Sequence, residues 1–520
     1  MAKILPGGLR RCMTAMALPA LLGGCAMIGP DFVQPKTPEV SAWLEANAPS
    51  RDASSGLTSR SAPVVAWWQT FDDATLSALI AQAYAQNLTL QMAGARVLQA
   101  RAQLGIAYGE LFPQSQTLAG STTRRRLSDN LSYISEVERV TDLDLDFGTS
   151  QVGFDAAWEL DIWGGLRRNV QSARANLAAQ VANYDDALVT LTGDVAATYI
   201  NIRAIQETLA IARRNIDLQQ QSLDLAKVRF NGGVTTELDV EEATVLLTNT
   251  KALIPPLESD LQQAKNALAV LLAQPPSRMD GLIGSGRIPR ARSEVAVGVP
   301  AELLRRRPDI RAAELEAAAQ ASQIGVAMNA LYPQFILSGG IGFQASSASD
   351  LFEAGSRTGV FTPGVSWNIL NYGRLKNNVR AQDAAYQGLI ANYQNTVLMA
   401  YGEVDNAMAA YKGARAQTAL LAESVEAARR AAEIAAKQYG DGVTDYTRVL
   451  NTQQALLAAE ANLVTARALI AENLVAIYKA LGGGWQVREG QEFLPETVLA
   501  EMAYRTDWGD LLQTRNDATN

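Results

Sequence analysis

Residues 102–114 read AQLGIAYGELFPQ, and residues 322–334 read SQIGVAMNALYPQ. Six of these thirteen positions are identical, and Leu104/Ile324, Ile106/Val326 and Phe112/Tyr332 are conservative pairs. Self-similarity at a fixed offset marks a repeated structural unit. The offset is 220 here and becomes 209 further on. WELDIWG at 158–164 matches WNILNYG at 367–373, RFNGGVT at 229–235 matches QYGDGVT at 438–444, and Leu272 matches Leu481. The 209 spacing runs without a gap from Trp158 to Leu272, so an 11-residue difference falls between Pro113 and Trp158. A stretch that varies freely in length suits a surface loop.

Each copy has the same plan. A helix is predicted from about Asp73 to Leu111, and again from Pro308 to Leu331. Pro308 suits a first helical turn, and Pro113 and Pro333 stop the two helices. Extended stretches follow, with strands expected near 114–126 and 149–162 in the first copy and near 334–346 and 358–370 in the second. A proline-free helical pattern then runs from Leu166 to Phe230, matched by Leu375 to Tyr439. About 65 residues at 1.5 Å each make a rod of roughly 100 Å. Gly232-Gly233 and Gly440-Asp441-Gly442 signal a turn, after which a helix of about 35 residues returns in each copy. Ile202, Leu209, Ile216, Leu223 and Phe230 recur at sevens, as in a coiled-coil seam. Elsewhere the long helices are rich in Ala, Gln, Asn and Asp, which suits the wall of a water-filled tube.

The strands alternate. Val152, Phe154, Ala156, Trp158 and Leu160 share one face, and Gln151, Gly153, Asp155, Ala157 and Glu159 share the other. Phe335, Leu337, Ile341 and Phe343 alternate with Ser338, Gly340 and Gly342, and Val365, Trp367 and Ile369 alternate with Gly364, Ser366 and Asn368. The 115–126 strand alternates poorly. Segments of about ten residues, apolar on one face and polar on the other, are the signature of an outer-membrane barrel. No later segment offers 18 uninterrupted apolar residues, so a membrane-spanning form must use strands. One chain supplies four, whereas membrane barrels need at least eight. The chain must therefore assemble with copies of itself: two would close a nearly solid eight-stranded barrel and three a twelve-stranded one.

Composition narrows the chemistry. The 520 residues suggest two to four domains, with 19% charged and 48% hydrophobic residues and a net charge of −8. That sign disfavours nucleic acid. The absence of histidine removes the commonest general base and most zinc sites. Glu241 and Glu242 adjoin on a helix and face different directions. With no nucleotide loop, metal cluster or convergent acid pair, neither enzyme activity nor a cofactor is expected. Cys12 and Cys25 are the only cysteines. Lys3, Arg10 and Arg11 precede a short apolar run, Met13 to Leu22, that fits a signal peptide over 1–24. Its end, Leu22-Gly23-Gly24-Cys25, resembles a bacterial lipobox, which implies a lipidated Cys25; Ala26 after it favours the outer membrane. Losing the three cations takes the net charge from −8 to −11.

Three further stretches carry a family resemblance: Gly29-Pro30-Asp31-Phe32, WWQTF at 67–71 and LLRRRPDIR at 303–311. Together with the duplication they make the chain similar to the TolC-like outer-membrane efflux factors, in the lipoprotein subgroup that partners resistance-nodulation-division pumps. The resemblance implies a mainly α fold with a membrane β-barrel, built from efflux repeats at 73–275 and 301–484. It implies a homotrimer with a twelve-stranded barrel in the outer membrane and a twelve-helix tunnel. Segments 25–72, 276–300 and 485–520 would form an equatorial region. A periplasmic adaptor and an inner-membrane pump would dock at the helix tips, and the channel would be a passive, gated conduit. By position, Asp239 and Tyr439 match residues that pair across the inner helices at the gate. This chain departs from the family elsewhere: the basic gate partner falls at Thr444, and the acidic pore ring falls at Arg448 and Asn451. Asp445 is a nearby source of charge, and Asp239, Tyr439 and Arg448 are expected to form the closed constriction. Two alternatives stand beside this one. A type I secretion channel shares the fold, and a periplasmic coiled-coil adaptor would carry one hairpin and no barrel strands. The cargo is not written in the sequence.

Overall fold

A computed structural model describes residues 27–37, 57–58, 65–128, 145–290, 295–296 and 306–513. Cys25, the signal segment and residues 129–144, where the length-variable loop is expected, lie outside the described residues. The elements used below are α1 (Ala74–Gln86), α2 (Leu88–Gly109), β1 (Ser115–Arg126), β2 (Asp146–Leu160), α3 (Gly165–Asn231), α4 (Glu237–Lys251), α5 (Ile254–Leu271), α6 (Met279–Ile283), α7 (Pro308–Asn329), β3 (Gln334–Ala345), β4 (Arg357–Ser366), α8 (Arg374–Gly440), α9 (Tyr446–Ala480) and α10 (Glu496–Arg505). The described residues divide into two compact units.

The first unit draws on Met1–Gln34, Gln99–Ala178 and Glu314–Ala391. Its centre is a four-stranded antiparallel sheet in the order β1-β2-β3-β4. The register sets the apolar positions in rows: Leu118 faces Phe154, which faces Ile341, and Leu160 faces Phe335, which faces Val365. One face is thus apolar, yet it is open: Leu118 is 77% exposed, Ile341 71% and Phe361 74%. The opposite face carries Gly153, Asp155, Gly340, Gly342 and Gly364. A Cβ on Gly342 would lie 2.4 Å from the Val152 carbonyl oxygen and 2.7 Å from Gly153 Cα. Only glycine permits strands to approach this closely, as the inside of a tightly curved sheet requires. β1, which alternates poorly, is nonetheless paired with β2 along all twelve of its residues. β4 stops at Ser366, leaving Trp367 and Ile369 outside the strand expected to reach 370. Pro363 lies within β4, which is allowed because β4 is an edge strand.

The duplication is visible in contacts. Trp158 Nε1 donates to the Leu111 carbonyl at 3.2 Å, and Trp367 Nε1 donates to the Leu331 carbonyl at 3.0 Å. Gly164 and Gly373 take the same left-handed turn, φ +78° and +82°, before α3 and α8 begin. Side chains other than glycine strain there. The Gly29-Pro30-Asp31 segment is held by the buried Arg168, which donates to the carbonyls of Ile28 and Gly29 and to Asp31 at 2.8 Å.

The second unit draws on Pro35–Leu98, Ala179–Ala313 and Asn392–Asn520. α3 and α8 each run 67 residues without a break, as their proline-free sequences predict. Two expected helices are interrupted. The 73–111 helix breaks at Asn87, whose side chain caps α2 by accepting from Leu90 N at 2.8 Å and donates to the Leu271 carbonyl at 2.8 Å. Asn competes for local backbone groups in this way. The first returning helix breaks between Lys251 and Ile254, ahead of Pro255 and Pro256, which supply no N–H for the ladder. Its partner α9 has no proline and runs 35 residues. The seam of sevens is buried at Ile202, Leu209 and Leu223, whereas Phe230 is 42% exposed at the turn. Polar groups, most of them buried, also bridge the helices. Asn215 Nδ2 and Arg429 Nη2 donate to the two oxygens of Glu460, each at 3.0 Å, and Gln453 donates to Ser222 at 2.7 Å.

The two marker motifs of this unit are packing devices. Trp67 is 1% exposed and stacks on Tyr478 at 5.4 Å. Arg307 grips Asp309 through two hydrogen bonds, Glu403 at 2.6 Å and the Ala480 carbonyl at 2.9 Å. Asp186 lines the same cavity, of about 210 Å³, with Arg307, Asp309, Glu403 and Lys479. Burial first, and the Asp309 and Glu403 charges next, push its carboxyl up to about 6 against Arg307 and Lys479. A raised acid pKa means the folded state holds the proton more tightly. Stability from this group is therefore fully present below the ordinary value of 3.8 and is lost as pH rises through about 6. Asp186→Asn should raise stability at pH 8 by about 1–2 kcal/mol and leave it unchanged at pH 3.5. Melting curves at the two pH values check both the size and the sign.

Candidate gate at the helix turns

Four helix ends meet in one small core. Leu223 and Ala226 of α3, Ala243 and Leu247 of α4, Ala435 and Tyr439 of α8, and Tyr446 and Val449 of α9 are buried together. Alanine at 226, 243 and 435 lets the backbones close in, and the aromatic pair fills the end: the Tyr439 and Tyr446 rings meet edge to face at 5.3 Å.

Within this core the sequence-expected pair is made. Tyr439 Oη donates to Asp239 Oδ2 at 3.0 Å, linking the end of α8 to the first turn of α4. Asp239 also accepts a short hydrogen bond from Thr235 Oγ1, and its charge sits favourably near a helix N-terminus. Burial, then the hydrogen bond to Asp239 and that group's charge, push the Tyr439 phenol up to about 12. The phenol therefore stays a neutral donor well past pH 7, and the contribution it makes is lost only as pH climbs from about 10 through about 12.

The other expected residues are placed differently. Asp445 caps α9, accepting from Arg448 N at 3.3 Å. Arg448 and Asn451 are exposed on α9, and neither joins the Asp239–Tyr439 pair. The cation at the pair is Arg229, which sequence reasoning passed over. Its guanidinium lies 4.8 Å over the Tyr439 ring and donates to the Tyr439 carbonyl at 2.6 Å and the Gly440 carbonyl at 2.9 Å. It thereby reinforces the turn bond from Gly442 N to the Tyr439 carbonyl and supplies a donor to the Gly440 carbonyl at the end of α8. Comparison of the two copies carried a signal for this. Arg229 aligns with Gln438, Phe230 with Tyr439 and Asp239 with Arg448, so the cation, the phenol hydroxyl and the carboxylate each stand at their position in one copy only. Thr235, by contrast, aligns with Thr444, and only Thr235 meets an acid.

An apolar-faced sheet beside long helices in tandem copies is the arrangement of a channel. The sequence family described as outer membrane efflux protein matches residues 79–274 and 299–483. The chain belongs to that family. Nodulation protein T of Rhizobium leguminosarum bv. viciae is 31% identical over 479 residues, covering 91% of this chain and 93% of that one. The pyoverdine export outer membrane protein OpmQ of Pseudomonas putida is 33% identical over 427 residues, covering 81% and 88%. The solved outer-membrane channel OprN is 32% identical and aligns with a TM-score of 0.79 over 88% of this chain and 99% of its own. The protein is thus an outer-membrane efflux channel component, and its tandem α and β architecture is that of the family.

In this efflux protein Arg229, not Arg448, secures the turn after α8. Arg229→Ala should speed amide hydrogen exchange across 439–446 by about tenfold, the loss of one charged hydrogen bond's worth of protection. Arg448→Ala should leave exchange there unchanged.

Proposed function

We propose that three copies form the outer-membrane conduit of a tripartite efflux pump, gated where Asp239 and Tyr439 meet. The observation that carries this reading is the four-stranded sheet whose two edge strands, β1 and β4, have no further strand partner among the described residues and whose apolar face is exposed. In hydrocarbon an unpaired strand edge costs several kcal/mol per group. β1 and β4 run in opposite directions, so β4 of one copy can take β1 of the next as an antiparallel neighbour. Three copies then close twelve strands. The glycine-rich opposite face lines the lumen, and the apolar face meets lipid. Cys25 carries the lipid anchor, and the repeats span 73–275 and 301–484.

The conduit is passive. A periplasmic adaptor and an inner-membrane resistance-nodulation-division pump dock at the turns and supply the energy; OpmQ, named for export of pyoverdine, supports a small-molecule cargo. Breaking the Tyr439–Asp239 link frees α8 and α9 from α4, which widens the pore at the tips. Asp445, Arg448 and Asn451, exposed on the same turn, face the passage rather than the lock.

Cross-linking of the detergent-extracted protein should give a trimer. In planar bilayers Asp239→Ala with Tyr439→Phe should raise single-channel conductance several-fold over wild type. Unchanged conductance would remove the gate from this site, and a dimer would remove the twelve-stranded barrel.

A further inference from the structure

The outer end of the sheet holds a feature that channel function leaves unused. A trough of about 570 Å³ lies on the apolar face, lined by Leu118, Val152, Phe154, Ile341, Phe343 and Phe352. The register explains it. Two neighbouring rows cross the sheet, Leu118–Phe154–Ile341–Gly359 and Gly120–Val152–Phe343–Arg357. Glycine at 120 and 359 withdraws the walls at opposite corners and leaves the space between the rows open. Phe352, from the segment joining β3 and β4, folds over the end of the trough and meets the Phe343 ring at 5.5 Å. Apart from Arg357 and Thr358 the side-chain lining is apolar.

Arg357 is the anomaly. It ends an apolar row on a face turned away from the polar side of the sheet. Arg124, near the end of β1 on the same face, is bound to Asp146 at 2.9 Å. Among the described residues Arg357 has no ion pair and no hydrogen bond to its guanidinium. A planar cation at the mouth of an apolar trough is complementary to a molecule with a chain and an anionic head, and guanidinium fits a phosphate through two parallel N–H donors. Aromatic rings such as Phe343 and Phe352 are at home at the boundary where chain gives way to head group.

We infer that the trough is a binding site for a phosphate-headed membrane lipid, with one acyl chain against Phe154, Ile341 and Phe343 and the phosphate on Arg357. The inference rests on the reading of the sheet as a membrane barrel. In the closed ring the outer end of β4 adjoins that of β1 from the next copy, whose Arg124 and Arg126 share the apolar face, so the site gains positive charge on assembly. A lipid bound there bridges two copies at the strand pair that no single chain can make.

The test is native mass spectrometry of the full-length protein released from detergent after incubation with dioleoyl phosphatidate or with dioleoylglycerol, which has the same chains and no phosphate. Wild type should retain phosphatidate about tenfold better than dioleoylglycerol, the worth of one charge-assisted pairing. R357Q should bring phosphatidate down to the dioleoylglycerol level, F352A should lower both lipids, and millimolar inorganic phosphate should displace neither. Equal retention of phosphatidate by R357Q and wild type overturns the site, and displacement by inorganic phosphate overturns the lipid as its occupant. Bilayer conductance of the same samples separates the two levels. Normal conductance with unchanged lipid retention in R357Q sinks the lipid site alone, whereas wild type that forms no channel sinks the barrel reading and this site with it.

Discussion

A strand edge in hydrocarbon presents a row of N–H and C=O groups with nothing to bond. That constraint governs this protein. Among the described residues the sheet runs β1-β2-β3-β4, with an edge on each side and an apolar face open to the surroundings. Its other features accommodate the same fact. Gly153 and Gly342 let two strands approach where a Cβ would strike backbone, so the sheet can curve. Pro363 is tolerated because β4 is an edge strand among the described residues.

The helical unit faces a different problem. α3 and α8 are long, and much of their surface is polar. An apolar seam alone would allow the helices to slip by a heptad at little cost. Polar groups inside the coil remove that freedom: Glu460 satisfies Asn215 and Arg429 together, and Gln453 reaches Ser222. A one-turn slip would leave Asn215, Gln453 and Glu460 buried without these partners, which is costly. The Arg307 cluster does the same for the start of α7, and the stacked Trp67 does it for the segment before α1.

Duplication explains why the Asp239–Tyr439 pair sits where it does. Two copies of one hairpin would close symmetrically. Here they differ at the turns: Tyr439 replaces the exposed Phe230 and reaches Asp239, while Arg448 stands where Asp239 would be. One hydroxyl and one carboxylate thus tie the second hairpin to the first. Arg229, across from Gln438, caps the end of α8 and covers the Tyr439 ring.

The repeats, the four strands, the two unbroken long helices and the Asp239–Tyr439 pair were legible in the sequence. The first three depend on local periodicity or on comparing one copy with the other, and the pair on its position within the family the chain resembles. Register, edge pairing and partners across helices depend on which groups space brings together. For that reason Asn87 and Pro255 broke helices that periodicity ran through. Arg229 emerged as the cation on Tyr439 where position alone suggested Arg448. Only the cross-strand rows place Arg357 at the mouth of an apolar trough whose described lining holds no acid. Amino-acid order fixes what each segment prefers by itself, while a hydrogen bond or a cavity between segments far apart in the chain exists only once the packing has chosen its neighbours.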